Sequence, residues 1–269
     1  MSTSQTTTDH HHPALAHQFD SMEQQKNAST FGMWVFLLTE IMMFGGLFTA
    51  YLIYRHQYYA AFVAGSTSIN VRWGFANTLV LIASSFTMAM AVWAAQQGKR
   101  RAQVWFLVGT MVLGAAFLGV KAKEYYDKYD ECHIPGHIGK GPGFVIGKGF
   151  NTWGGCEAGD TGKGNIAEEM RDPTKNGDPK IPEGAAIQTA KDTEIFFSFY
   201  FAMTGLHAFH MLIGMGLMTW LVLRANRGEF GPQYYTPVEL GGLYWHFVDI
   251  VWIYLFPLLY LINRIKHHG

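Results

Sequence analysis

The chain has 269 residues, of which 49% are hydrophobic and 15% aromatic, and its 20 basic side chains balance its 20 acidic ones. The apolar residues are grouped in blocks between polar segments, a pattern typical of membrane proteins. Zero net charge, with no basic patch interleaved with aromatic residues, argues against nucleic acid as a partner.

Residues 1–28 form a polar segment that contains His10, His11 and His12. The segment has neither a basic start nor a small-residue cleavage site, so we do not interpret it as a secretory signal. We predict a solvated cytoplasmic tail, with weak metal binding by the histidines as an alternative.

The first apolar block, Phe31 to Tyr54, is long enough to cross the roughly 30 Å hydrocarbon layer as a helix. Glu40 lies inside this block, between apolar neighbours. A carboxyl group at that depth is largely desolvated, which favours the neutral acid unless another segment supplies a partner. Glu40 is therefore the leading functional candidate in the first half of the chain.

Two further spans follow a loop that we predict over residues 55–72. Span two runs from Trp73 to Ala95, and its small polar residues can hydrogen-bond between helices: Asn77, Thr78, Ser84, Ser85 and Thr87. Span three runs from Val104 to Tyr125. The charged and aromatic string at its end, Lys121 to Tyr126 with Glu124 inside it, indicates an anchor at the membrane interface.

Residues 127–191 are rich in Gly, Lys and Pro without helical or strand periodicity, so we predict a long extramembrane loop. Both cysteines of the chain, Cys132 and Cys156, lie in this segment and could form a disulfide in an oxidising compartment. A zinc or copper site with His133 and His137 is the alternative, although the cysteine spacing contains no C-x-x-C unit.

Span four, Thr193 to Leu223, places His207 and His210 on one helix face. Two histidines one turn apart can ligate a metal ion. No carboxylate or cysteine co-ligand is evident on that face, so we favour a hydrogen-bonded interior pair.

Span five, Val238 to Ile262, carries one stripe of spaced residues: Glu239, Gly242, His246, Asp249 and Ile253. Ionisable groups are costly to leave in lipid, so this stripe should face protein. We favour a structural His246/Asp249 pair that fixes the helix to its neighbours over a proton path or direct catalysis.

The pattern predicts an all-α membrane protein, a bundle of five transmembrane helices with one long extramembrane loop between spans three and four. Basic residues cluster between spans two and three (Lys99, Arg100, Arg101) and between spans four and five (Arg224, Arg227). The positive-inside rule then places these connections and the N-terminus in the cytoplasm, and the C-terminus outside. The predicted organisation is a tail over 1–28, spans one to three in 29–126, an outer loop over 127–191, and spans four and five in 192–269.

Several strings resemble subunit III of the haem-copper oxygen reductases, most closely the five-span bacterial form of cytochrome c oxidase subunit III. They are Gly32 to Glu40, Ala76-Asn77-Thr78, Lys123 to Tyr126, Thr204-Gly205-Leu206-His207 with His210, and Tyr244 to Asp249. Glu40 matches the family's buried intramembrane glutamate. The ionisable residues for which we predict roles in packing or proton transfer are Glu40, Glu124, His207, His210, Glu239, His246 and Asp249.

The resemblance implies a bacterial plasma-membrane subunit without a catalytic metal centre of its own. Haem and copper would belong to partner subunits, of which the catalytic subunit I and subunit II are expected. The subunit would stabilise subunit I, hold phospholipid and support proton uptake during oxygen reduction in aerobic electron transport. The complex, rather than this chain, would be the oxidoreductase and proton translocase. A cytochrome c domain or a further respiratory subunit could dock at the outer loop.

Longer members of the family have seven helices, and the first two form one arm of a lipid-holding cleft. Residues 1–28 are too polar to supply that pair. We expect either that the complex lacks the arm or that another chain carries it.

Three alternative functions stay open. A quinol oxidase also has a five-span third subunit. A haem b membrane cytochrome would use His207, His210 and His246, although their spacing shows no repeated pattern. An independent proton or ion carrier would use the acidic and imidazole groups, although neither internal repeats nor interrupted helices are evident.

Overall fold

The computed structural model describes residues 15–67, 69–130 and 183–262. Apart from an isolated bridge between Gly231 and Tyr234, regular structure in these ranges is helical. The helices are α1 (Met22–Gln57), α2 (Tyr59–Thr67), α3 (Val71–Gln96), α4 (Arg100–Asp130), α5 (Glu183–Arg227) and α6 (Thr236–Tyr260).

All of these helices except α2 are long and apolar enough to cross a membrane, which confirms the predicted all-α class with five spans. Four of the five spanning helices extend beyond their predicted spans at both ends, whereas α6 begins two residues earlier and ends two residues earlier than predicted. The predicted loop over residues 127–191 was too long, because residues 127–130 belong to α4 and residues 183–191 belong to α5. The start of α1 is fixed by Ser21, whose Oγ accepts a hydrogen bond from the Gln24 backbone N–H at 3.2 Å. Cys132 and Cys156 lie outside the described residues, as do His10, His11, His12, His133 and His137.

The connection between spans one and two contains a helix, so the prediction of a loop over residues 55–72 was wrong. Helix α2 is too short to cross a membrane, but its Phe62 is fully buried. The Phe62 ring packs edge-on against the Phe196 ring of α5, with centroids 5.5 Å apart. Because Phe196 follows 134 residues later in the chain, no local periodicity marks this partner.

Helix α6 is the most deeply buried of the five spans and packs directly against α3 and α5. Its α-carbons stay more than 8 Å from those of α4. The Trp245 side chain crosses this gap, with its indole between Gly114 of α4 and Gly214 of α5. A Cβ atom would lie 2.8 Å from the indole at Gly114 and 2.9 Å from it at Gly214, so both positions require glycine.

Candidate functional site

Glu40 of α1 and His210 of α5 form a hydrogen-bonded pair inside the bundle. Glu40 Oε2 lies 3.0 Å from His210 Nε2, and the two side chains are 16% and 9% exposed. His210 Nδ1 lies 2.8 Å from the Leu206 carbonyl oxygen, which can only accept, so Nδ1 carries a hydrogen and donates. His210 Nε2 and Glu40 Oε2 therefore share a single proton, which either atom can hold. The proton can therefore sit on either atom without a change in the net charge of the pair.

Two neighbouring side chains hold the His210 position. The Tyr244 hydroxyl of α6 donates to the His210 backbone carbonyl at 3.0 Å. The Phe44 ring of α1 lies 5.3 Å from the imidazole, centroid to centroid. The pair is therefore built where α1, α5 and α6 meet.

His207, one turn before His210, has a different environment. It is 1% exposed, and neither ring nitrogen has a hydrogen-bond partner among the described residues. Its ring lies 5.1 Å from Trp252 and 5.5 Å from Phe117. The two histidines share a helix face but belong to separate surroundings, and of the two only His210 is hydrogen-bonded.

His246 and Asp249 each reach a serine of α3. His246 Nδ1 lies 2.6 Å from Ser85 Oγ, and Ser84 Oγ lies 3.4 Å from Asp249 Oδ2. Ser84 also accepts a hydrogen bond from Trp245 Nε1 at 3.2 Å. Consecutive serines thus connect the centre of α6 to α3, so the contacts of His246 and Asp249 run to another helix.

The ends of the predicted α6 stripe lie nearer the surface than its centre. Asp249 is buried, whereas Ile253 is 45% exposed on the surface of this chain. Glu239 lies in the first turn of α6, with Oε2 3.6 Å from Lys26 Nζ. Lys26 also donates to the Tyr235 hydroxyl at 3.1 Å, which ties the beginning of α1 to the beginning of α6.

Glu124 belongs to a buried cluster around Lys121, a residue that the sequence analysis placed in an interface anchor and not among the functional candidates. Lys121 Nζ lies 2.8 Å from Glu124 Oε2 and donates to the hydroxyls of Tyr200 at 3.1 Å and Tyr260 at 3.0 Å. Tyr260 in turn donates to Glu124 Oε1 at 2.6 Å. Lys121 is only 4% exposed, so the prediction of an interface anchor was wrong for this residue.

Aromatic rings enclose the Lys121 ammonium group on several sides. Its nitrogen lies 4.9 to 5.7 Å from four ring centroids, those of Tyr125, Tyr200, Trp252 and Tyr260. A cation next to aromatic faces is stabilised by their quadrupoles, more strongly where water is excluded. We call Lys121, Glu124, Tyr200 and Tyr260 the lysine cluster, and it joins α4 to both α5 and α6.

These sites are distinct from one another. Within residues 15–67, 69–130 and 183–262, no group of three or more His, Cys, Asp or Glu side chains is arranged to hold a metal ion. The ionisable residues instead connect helices: α1 with α5 and with α6, α3 with α6, and α4 with α5 and α6.

Comparison with known proteins shows which family the chain belongs to. A family model described as cytochrome c oxidase subunit III matches residues 185–263, which include most of α5 and all of α6. A probable cytochrome c oxidase subunit 3 of Mycobacterium leprae is 30% identical over 241 residues, 88% of this chain and 89% of the relative. The chain belongs to the cytochrome c oxidase subunit III family.

Other members of the subunit III family match over a similar length. A cytochrome c oxidase subunit 3 of Thermostichus vulcanus is 28% identical, covering 91% of this chain and 92% of the relative. A quinol oxidase subunit 3 of Bacillus subtilis is 25% identical, covering 86% of each. The family resemblance read from the sequence is confirmed, and the chain is a membrane protein of a family whose members form part of terminal oxidases.

Proposed function

We propose that this chain is the non-redox third subunit of a respiratory cytochrome c oxidase in the bacterial plasma membrane. It binds the catalytic subunit that holds haem and copper, stabilises it, and supports its proton uptake. Relatives named cytochrome c oxidase subunit 3 support this role. The basic connections between spans two and three and between spans four and five support a cytoplasmic N-terminus.

The observation that carries the proposal is the engagement of the intramembrane histidines in packing the bundle. Both ring nitrogens of His210 have partners, and His246 Nδ1 is bound to Ser85. The His207 imidazole packs against the rings of Trp252 and Phe117, with centroids 5.1 and 5.5 Å away. These side chains support a scaffold that positions a neighbour and carries no haem itself.

Helix α1 supports contact with such a neighbour close to Glu40. Large apolar side chains on the surface of α1 are more than half exposed, among them Trp34, Leu38, Ile41 and Met42. Glu40 itself is partly exposed beside them. An acid at that depth is costly against lipid but not against a protein that hydrates or pairs it. A proton shared between Glu40 and His210 could then exchange with groups of the catalytic subunit.

Affinity purification in mild detergent, followed by mass spectrometry of the co-purifying chains, tests the proposal. We expect a histidine-rich haem-copper catalytic chain and a subunit II in stoichiometric amounts. Purification of this chain alone under conditions that preserve other respiratory complexes would contradict it.

A visible absorption spectrum distinguishes the accessory role from a haem b cytochrome. We expect no Soret band from the separately purified chain. A band stoichiometric with the chain would overturn the assignment. Reconstitution of the chain alone in vesicles tests the independent carrier, and we expect proton flux equal to that of empty vesicles.

A quinol oxidase is the second candidate, because relatives from Bacillus subtilis and Pseudomonas aeruginosa carry that name. The electron donor is bound by other subunits, so the test is the purified complex. A subunit II with copper or a cytochrome domain supports cytochrome c as donor, and a subunit II without either supports quinol.

We also propose that the loop predicted over residues 127–191 is the docking site of a cytochrome c domain or a neighbouring respiratory subunit. Deletion of residues 135–185 should then reduce electron input into the complex without removing the subunit from it. Unchanged assembly and unchanged electron input would refute this docking role.

A further inference from the structure

A groove runs along the outside of α6, between α1 and α3. Helix α6 packs against both of these helices, but the α-carbons of α1 and α3 stay more than 8 Å from each other. On the α3 side, the Phe75 ring lies 6.5 Å from the Phe256 ring of α6, centroid to centroid. On the α1 side, the Tyr51 hydroxyl donates to the Leu258 carbonyl oxygen at 2.6 Å. The strip of α6 between these two lines of contact is left uncovered by the described helices.

The uncovered strip is apolar except at its middle. His246 lies one turn before Ile250 and two turns before Ile253 on the same helix face. Ile82 of α3, one turn before Ser85, forms the adjoining wall. These three isoleucines are 45% to 51% exposed. We call the set of His246, Ile250, Ile253 and Ile82 the α6 groove.

His246 is the polar group at the centre of the α6 groove, and it is half-buried near the middle of the helix. Its Nδ1 is engaged with Ser85 Oγ at 2.6 Å. Its Nε2 has no hydrogen-bond partner among the described residues and is not enclosed by them, so it opens into the groove. One imidazole nitrogen therefore holds α6 to α3, and the other is available to a group outside the described bundle.

Neither lipid nor a second copy of this chain satisfies the outward nitrogen. Lipid headgroups lie about 15 Å from the membrane centre, and acyl chains carry no hydrogen-bonding group. A polar atom left unpaired in hydrocarbon costs free energy, which a hydrogen bond from another helix recovers. Two copies of this chain would present the same recess to each other, so α1 and α3 would hold the two His246 rings apart.

We propose that the α6 groove docks one transmembrane helix of a different protein chain, and that a carboxyl, amide or hydroxyl group of this helix hydrogen-bonds to His246 Nε2. The isoleucines around the histidine would exclude lipid and water from that bond, as apolar rims do at other interfaces. A groove between two helices that do not touch receives the side-chain ridge of a third. The groove is separate from the Glu40–His210 pair, which joins α1 to α5, so the inference goes beyond the proposed function.

Site-specific photo-crosslinking in the native membrane tests this groove. The crosslinking residue p-benzoylphenylalanine is placed either at Ile250 or, as a control, at Val112 of α4, which is 62% exposed. The α-carbons of α4 stay more than 8 Å from those of α1 and α6. We expect the probe at Ile250 to form an adduct with one membrane protein, through a transmembrane peptide that has a polar residue near its middle. The probe at Val112 should not form this adduct.

Two substitutions of the histidine separate its two contacts. His246→Asn keeps an amide at the position of Nδ1, next to Ser85, and removes the nitrogen that opens into the groove. His246→Gln keeps an amide at the position of Nε2. We expect His246→Asn to reduce the adduct yield about threefold to twentyfold, the range for one hydrogen bond between membrane helices, and His246→Gln to retain most of it. Ser85→Ala leaves Nε2 in place and should reduce the yield less.

Other results would overturn the proposal. Equal adducts from both probe positions would show unspecific contact, and an undiminished adduct with His246→Asn would show that the histidine is not the anchor. Adducts with a second copy of this chain, or with phospholipid alone, would assign another occupant. Absence of the Ile250 adduct from a complex that still contains the haem-copper catalytic chain would refute the groove and leave the proposed function intact.

Circular dichroism checks that each variant is folded. Should His246→Asn fail to fold, the contrast between the two probe positions and the identity of the crosslinked peptide still decide the question.

Discussion

Glu40 Oε2 and His210 Nε2 lie 3.0 Å apart and share one proton, because the other imidazole nitrogen is committed to the Leu206 carbonyl. This contact joins α1, the least buried span, to α5. The acid can stay within the membrane because its partner neutralises it whichever atom holds the proton. The same contact that secures α1 can therefore also supply a proton.

Replacement of Glu40 by glutamine should preserve assembly, since the amide keeps the shape and a hydrogen bond to His210. If the shared proton supports uptake, oxidase turnover should fall several-fold, and most at alkaline pH where protons are scarce in solution. Subunit stoichiometry and turnover as a function of pH measure the two effects. Equal turnover of variant and wild type at alkaline pH would leave Glu40 with a packing role alone.

Lys121→Met should destabilise the bundle strongly. It leaves the Glu124 carboxylate buried without its cation, and breaking a buried pair from one side costs about 3–5 kcal/mol. Removing both charges with Lys121→Met/Glu124→Leu should cost less than the single change, since no unpaired charge remains. Unfolding in detergent, followed by circular dichroism, measures the free energies.

Lys123→Met is the matched control for the lysine cluster. Lys123 lies two residues further along α4, is exposed, and has its nitrogen 5.4 Å from the Trp73 ring centroid. Its loss should change stability by less than about 1 kcal/mol. Similar losses for the two lysines would argue against a special role for the aromatic enclosure of Lys121.

Gly114→Ala and Gly214→Ala should each destabilise the protein by about 1–3 kcal/mol, because the new methyl group overlaps the Trp245 indole. Gly109 and Gly216 lie on the same two helices, and a Cβ atom there would meet nothing within 4 Å. Alanine at those positions should be neutral or stabilise by up to about 1 kcal/mol. Thermal unfolding of the four variants compares them directly, and a uniform response would show that Trp245 can move aside.

His246→Leu and Asp249→Leu should weaken the contact of α6 with α3 and, through it, the association with the catalytic subunit. His246→Leu removes the contact of His246 with Ser85. Asp249→Leu removes one of the two α6 contacts of Ser84, whose Oγ still accepts a hydrogen bond from Trp245. A double-mutant cycle of His246→Leu with Ser85→Ala should give a coupling of about 0.6–1.7 kcal/mol, as for other hydrogen bonds between membrane helices. Additive effects would mean that the 2.6 Å contact contributes nothing to stability.

The five spans were predictable from the sequence because length and apolar composition alone decide whether a helix can cross a bilayer. Glu40 and the polar centre of α6 could also be selected, since any ionisable group at that depth needs a partner. Which partner it finds depends on helix packing. Glu40 contacts His210, which lies 170 positions later in the chain, and the residues around either one do not indicate that the two are partners.

The burial of Lys121, in contrast, could not be predicted from the sequence. At the end of an apolar block, next to Lys123, Glu124 and two tyrosines, it has the composition of an interfacial anchor. Its burial results from Tyr200 and Tyr260, which lie 79 and 139 positions away and converge on it only in the folded bundle. Helix α2 escaped prediction for a related reason, because its partner Phe196 is equally remote.

The position of Trp245 between α4 and α5 has a consequence for the order in which the helix bundle assembles. Ribosomes deliver α6 after every other described helix, yet its indole fills the slot that holds α4 and α5 at their final spacing. Until α6 enters the bilayer, the contacts of Trp245 with Gly114 and Gly214 are missing. We therefore expect a chain that terminates before Thr236 to form a less stable bundle, since it lacks the helix that packs against both α3 and α5.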